Sequence, residues 1–418
     1  MFKKIVLKNG LTLITSPMKN TRSVTVLILV GAGTKHEKKE ENGISHFLEH
    51  MYFKGTKKRK NALAISKEID GVGGIMNAFT SKDFTGYFVK VDYSHLKLAL
   101  DLVSDIFLNS TLPKEEIEKE RGVIIEEIKM YEDNPMSYID ILWEEILYGD
   151  QPAGWNTAGT RETVSRIKRN NLLQYIKDHY VSSNTIVVIA GKFNDKTITP
   201  LINTYFSNIL KGSPKKKRPV KEEQKIPKKL FFKKDTQQTH LALGVRAFNI
   251  FNKRRFALQV LSVILGGNMS SRLFQELREK RGLAYYVHTN TELNPDTGYL
   301  VTCAGIDHKN IEKTVSLITK QYKKIAKVGP TEKELRLAKE YIKGNFRLSL
   351  EESDNIASFY ATQALLEKKI MSPEEKIKLI EKVNKNDIIE VSRYIFSKKG
   401  LNLATIGPKE LKMKEFTI

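Results

Sequence analysis

GISHFLEHMYFKGT, residues 43–56, is the stretch from which the rest of the chain can be read. At its centre, His46, Glu49 and His50 make an H-x-x-E-H spacing, the reverse of H-E-x-x-H. Residues four apart lie one turn apart on one face of a helix, so both imidazoles reach a single zinc ion. Glu49 neighbours both ligands and is placed to take a proton from a water at the metal, the role of the glutamate in zinc hydrolases. Five residues alone would also suit an amphipathic helix whose histidines are solvated or paired with carboxylates.

The flank narrows the choice. HFLEHMYFKGT closely resembles the helix of the pitrilysin and insulysin family of inverzincins, and most closely its mitochondrial-processing-peptidase branch, where HFLEHM-x-FKGT is characteristic. The resemblance implies a zinc peptidase in which His46 and His50 are metal ligands and Glu49 is catalytic.

A catalytic zinc usually keeps three protein ligands and one water. ERGVIIEE, residues 120–127, is the best source of the third. Glu120 and Glu127 are seven apart and share a helix face, and Val123 and Ile124, on or near that face, make it read as buried. Buried carboxylates need partners, and a metal is one. Spacing alone leaves Glu120, Glu126 and Glu127 open. The stretch resembles the family's E-R-x-V-I-x-x-E segment, which implies that Glu127 is the ligand and Glu120 a supporting catalytic residue. Glu126 then points roughly 100 degrees away round the helix.

Two further stretches bear on substrate. In GGIMNAFTS, residues 73–81, Asn77, Ala78, Phe79 and Thr80 resemble the family's active-site edge strand, whose free edge pairs with an extended peptide. In LREKRGLAY, residues 277–285, Arg278 and Tyr285 resemble an arginine and tyrosine that reach the substrate, with Arg281 and Tyr286 as neighbouring competitors. Such donors suit an oxyanion.

Length and composition frame the fold. The 418 residues, 40% of them apolar, suggest two or three domains with ample core. No apolar run is long enough for a membrane span, and the basic opening, interrupted by Lys8, Asn9 and Gly10, has no cleavage site of the signal-peptide kind. A lone cysteine, Cys303, forbids an internal disulfide and fits a cytoplasmic location. The net charge of +22 raises nucleic acid as a partner, but the lysines are scattered and no nucleic-acid-binding motif accompanies them. No nucleic-acid partner is expected.

The pattern predicts an α+β chain. Strands are expected on both sides of Asn9-Gly10 as a two-residue hairpin, then at 24–30, 75–80 and 85–91, with helices at 62–72, 95–108 and 114–131 and a new helix forced at Pro135. The plan recurs as strands at 230–234, 240–245, 284–289 and 297–303 and helices at 254–265, 311–326 and 332–346. Thr85-Gly86-Tyr87 and Thr297-Gly298-Tyr299 lie 212 residues apart, about half the chain. Two homologous domains are therefore expected, each a mostly antiparallel sheet flanked by helices: 1–212, metal-binding, and 230–418, substrate-binding and without ligands on its corresponding helix. Residues 213–229, rich in Lys and Pro, read as a linker.

The expected function is zinc endopeptidase, one zinc per chain, acting on unfolded or extended peptides in an enclosed chamber. A homodimer, or a heterodimer with a related subunit, is expected to close that chamber. The other reading is a non-catalytic assembly subunit of the same fold, which has no use for Glu49. Between Lys114 and Asp150 twelve acidic residues face four basic ones, which points to basic peptides as substrates.

Overall fold

The strands form where β-branched and apolar residues run together. SVTVLILV, residues 23–30, is buried from its second residue onward, as a central strand must be. In the computed structural model, which describes residues 2–367, 369–397 and 400–410, the strands are β1 (Lys3–Val6), β2 (Thr12–Pro17), β3 (Ser23–Val30), β4 (Ile75–Thr80), β5 (Thr85–Asp92), β6 (Thr185–Gly191), β7 (Lys228–Lys233), β8 (Thr239–Arg246), β9 (Ala284–Leu293), β10 (Gly298–Ile306) and β11 (Leu401–Gly407). The α-helices are α1 (Ile44–Met51), α2 (Ala62–Asp70), α3 (Leu96–Asn109), α4 (Lys114–Asp133), α5 (Pro135–Tyr148), α6 (Arg161–Arg166), α7 (Arg169–His179), α8 (Asp195–Tyr205), α9 (Arg255–Gly266), α10 (Ile311–Val328), α11 (Glu332–Ser349), α12 (Ser353–Leu366), α13 (Pro373–Lys382) and α14 (Lys385–Ile395). No helix among the described residues is long and apolar enough to cross a membrane.

The chain packs into two compact units. The first takes residues up to Lys129, Trp155–Arg218 and Arg347–Ile370; the second takes Met130–Gly154, Pro219–Phe346 and the described residues from Met371 on. The first unit's sheet has the order β1-β2-β6-β3-β5-β4, antiparallel except between β2 and β6. The second unit's sheet runs β7-β11-β8-β10-β9, antiparallel except between β7 and β11. Without β1 the two orders correspond strand for strand, and the repeated Thr-Gly-Tyr opens the matching strands β5 and β10. The fold class is α+β as the pattern implies.

Each sheet buries both faces. In the first unit, Val26, Ile28, Tyr87 and Val89 share a core with Phe47, Leu48, Leu100 and Val103 from α1 and α3. On the other face Leu27, Leu29 and Val188 meet Ile356, Ala357, Tyr360 and Ala361 of α12. In the second unit, Ala242, Val301, Ala404 and Ile406 meet Ile139, Leu142, Trp143 and Ile146 of α5. The covering helix of each sheet therefore comes from the sequence half that carries the other sheet. The last residues of the expected second domain, 411–418, lie outside the described residues.

Two local expectations change. The opening hairpin forms, but residues 7–11 make a longer connection than the two-residue turn, because Leu7 N bonds Leu11 O and the ladder starts at Val6–Thr12. The 213–229 stretch is largely exposed, yet Lys217 pairs with Asp83 in the first unit and Gln224 bonds Asn402 in the second. β7 already begins at Lys228.

Behind the motif helix, His36 and His179 pack ring to ring, 5.6 Å apart, and burial holds both down to about 4, from an ordinary 6.5. A pKa depressed in the folded state gives stability that is complete above the unfolded value and is lost as pH falls toward the folded one. Denaturant unfolding of the metal-free chain is therefore expected to show falling stability from pH 6.5 toward 4, with a shallower slope in a His36→Gln/His179→Gln variant. Equal slopes in the two proteins would contradict this assignment.

Candidate metal centre

The helix α1 is short, and its orientation is set from both sides. Ile44, Phe47, Leu48 and Met51 are fully buried, which leaves His46, Glu49 and His50 on the opposite face. Gly43 precedes it with φ of 94°, and a Cβ there would lie 2.7 Å from the Ala158 carbonyl oxygen, so a glycine is required. Gly43 has no side chain to cap the helix, and the buried Glu37 does so from outside. Its Oε2 accepts from Gly43 N and Asn42 Nδ2 and its Oε1 from Ser45 N, each at 2.9 Å.

Helix α4 brings the carboxylates. Ile117, Ile124 and Ile128 bury one side of it, and Glu120 is only 6% exposed. Arg121 fixes its rotation by donating to the Val164 and Ile167 carbonyls. Ile124 is buried as the spacing implies, but Val123 is 50% exposed, because it falls on the solvent edge of the face shared by Glu120 and Glu127. Glu126 turns away, mostly exposed, and pairs with Lys129.

His46, His50 and Glu127 come together, each offering a ligand atom within 4.8 Å of the others. His46 Nε2 and His50 Nε2 are 3.3 Å apart, and Glu127 Oε2 lies 3.6 and 3.5 Å from them. Tetrahedral ligands at about 2.0–2.1 Å from zinc are about 3.3 Å from one another, so the three atoms fit one ion. The donor set fits too. Glu120 Oε2 lies 3.1 Å from His50 Nδ1, the arrangement in which Nδ1–H donates and a lone pair is left on Nε2. His50 Nε2 then faces a second imidazole nitrogen and a carboxylate oxygen, three atoms that would all serve as donors to one zinc ion. His46 Nδ1 is buried and has no hydrogen-bond partner among the described residues.

The charges follow. Burial, then the neighbouring His50, pushes His46 down to about 4. Burial also opposes charge on His50, but the carboxylates of Glu120 and Glu127 outweigh it and raise His50 to about 9. Burial raises the Glu49 carboxyl, partly offset by the Thr80 hydroxyl that donates to Oε2. Glu120 meets the same burial, yet its bonds to His50 and Lys54 hold it below the usual range. Lys54 Nζ sits 2.6 Å from Glu120 Oε1.

Of the expected substrate residues, Asn77, Ala78, Phe79 and Thr80 lie on β4, which among the described residues pairs with β5 alone and so forms the sheet edge. Ala78 and Phe79 pack on opposite sides of the sheet and Asn77 is exposed. Arg278 and Tyr285 belong to the second unit. Arg278 lies on a π-helical turn, Phe274–Glu279, with its guanidinium 6.0 Å from the ring of Tyr285, itself 73% exposed at the start of β9. The competitors are engaged, Arg281 with Glu276 at 2.7 Å and Tyr286 with His240 at 2.9 Å. Glu37 and Lys54 escaped the sequence reading. Lys54 stands four residues after His50, a spacing that could have marked it; nothing local marks Glu37 as the cap of α1.

Comparison with known proteins adds to this geometry. Residues 13–161 match the model described as insulinase, peptidase family M16, and residues 166–342 that described as the peptidase M16 inactive domain. A Bacillus subtilis protein named an uncharacterized zinc protease is 36% identical over 98% of both chains. One from Mycobacterium leprae, named likewise, is 34% identical over 97% of this chain and 91% of its own. A crystal structure of a protease from Helicobacter pylori superposes with a TM-score of 0.91 at 25% identity, over 98% of this chain and 99% of that one.

Proposed function

The chain belongs to the insulinase family, peptidase family M16, and on that premise we propose that it is a zinc metalloendopeptidase that cleaves extended peptide segments. The observation that carries the reading is the convergence of His46, His50 and Glu127 beside Glu49. These three would hold one zinc, which when bound supplies a Lewis acid that acidifies water and polarises a carbonyl. Glu49, its affinity for a proton raised by burial, takes the proton of the attacking water and passes it to the leaving amine nitrogen. The water oxygen joins the carbonyl carbon as the C–N bond breaks. Glu120 keeps His50 turned toward the site.

The edge of β4 offers backbone hydrogen bonds to an extended substrate with little dependence on its sequence. Arg278 and Tyr285 donate to the oxygen of the scissile carbonyl as charge develops there. Two chains, identical or related, enclose the site and admit only unfolded segments. The acidic run from Lys114 to Asp150 favours peptides with Arg or Lys near the cut. Part of that acid is spent locally, since Glu116, Glu118 and Glu126 pair with Lys119, Arg121 and Lys129. An assembly subunit without activity would have no use for Glu49, which weighs against that alternative.

Metal analysis is expected to find about one zinc per chain, with peptide cleavage lost on chelation and regained on adding zinc. Glu49→Gln is expected to keep the zinc and abolish cleavage; turnover near that of the parent chain would sink this mechanism. Arg278→Ala or Tyr285→Phe should lower kcat by about tenfold to a thousandfold at unchanged zinc content. Unchanged kinetics in both would reassign the substrate donors. In a matched peptide series differing only in charge, basic peptides should be cut faster at low salt. That advantage should shrink as screening shortens to about 3 Å at 1 M. Equal rates for acidic and basic peptides at low salt would remove the charge preference.

A further inference from the structure

Lys54 lies one turn beyond His50, where the backbone still curls helically, with Phe53 N bonded to His50 O and Lys54 N to Met51 O. Its side chain is 22% exposed and ends on Glu120, whose side chain is 8% exposed. The two carboxylate oxygens of Glu120 are divided between two partners. Oε1 meets Lys54 Nζ at 2.6 Å, and Oε2 lies 3.1 Å from His50 Nδ1. A carboxylate with one partner can still turn about its last bond. With a charge-assisted bond at each oxygen it cannot turn without breaking one of them in a buried setting, where an unmet acceptor is costly.

Resting on the metal site proposed above, we propose that Lys54 is a positioning residue: its ammonium locks the Glu120 carboxylate so that the free oxygen receives His50 Nδ1–H and aims His50 Nε2 at the metal. Partners beyond the ligands tune affinity by holding ligand direction and basicity. The sign of the effect separates this role from plain electrostatics. A lysine near a dication repels it, so removing a lysine that acted only by its charge would strengthen metal binding. Removing one that holds Glu120 in place weakens it.

The experiment measures zinc affinity at neutral pH by competition with a chromophoric chelator, together with the melting temperature of the metal-free protein, for Lys54→Met, Lys54→Gln, Lys54→Arg, Glu120→Gln and the Lys54→Met/Glu120→Gln double variant. Lys54→Met and Lys54→Gln are expected to bind zinc about tenfold to a hundredfold more weakly, and Lys54→Arg to recover most of the loss. With Glu120 already changed to Gln, Lys54→Met is expected to alter affinity by less than about twofold, since the pair then acts as one unit. Unchanged or tighter binding in both neutral variants overturns the proposal. So does an equal loss with and without the Glu120 carboxylate, or a loss that only tracks a fall in melting temperature. A parent chain that takes up no zinc overturns the zinc reading and this proposal with it, whereas a parent chain that binds zinc beside an unaffected Lys54→Met overturns this proposal alone.

Discussion

Two imidazole nitrogens 3.3 Å apart, each about as close to a carboxylate oxygen, are the point on which α1 and α4 of the first unit converge. Without a metal, a proton on His50 Nε2 can be shared with His46 Nε2 and the Glu127 carboxylate, and it occupies the place that an ion would take. The first unit is arranged to hold these atoms in place. The buried half of α1 anchors its helix to the sheet, Glu37 clamps one end, and α4 is pinned by Arg121, so neither helix can drift to relieve the site. A zinc ion at the point where the three atoms converge would displace that proton, so its binding would be coupled to the local order of α1 and α4.

The same sheet built twice shows what the ligands add. In the second unit, α9 follows β8 as α1 follows β3, and it reads RFALQVLSVILG, apolar nearly throughout. Leu258, Leu261 and Leu265 are fully buried. Free of any need to turn polar side chains toward a metal, that helix packs like any core helix. Both helices bury half of their residues as apolar side chains, four of eight in α1 and six of twelve in α9, and the difference lies in the face turned from the core, where α1 carries His46, Glu49 and His50.

Much of the strand and helix plan was legible in the sequence because it rests on local periodicity, though β6 and β11 went unread, and so was the placement of His46 and His50 one turn apart on α1. Glu127 was legible as one of three glutamates, and a resemblance was needed to choose among them. Helix spacing defines a face but not which edge of that face is wet, the same reason Val123 was misjudged as buried. The rest of what escaped was non-local. Glu37 caps a helix from outside it, and the placement of α5 and α12 depends on apolar stripes that fit either sheet equally well by pattern. Nothing in the composition of LWEEIL or SFYATQALL says which half of the chain will receive it.

That exchange of helices has a consequence in time. A ribosome making about 5–20 residues per second finishes the first unit's sheet with β6 and does not reach α12 until some 160 residues later, roughly 8–30 s. During that interval the face carrying Leu27, Leu29 and Val188 stands without its cover. The reverse holds for α5, which is synthesised long before the sheet that shelters Trp143 exists. The nascent chain thus carries an apolar sheet face and an apolar helix that belong to different partners, and each is the other's nearest wrong choice. Early pairing of α5 with the first sheet would be a trap built into the order of synthesis.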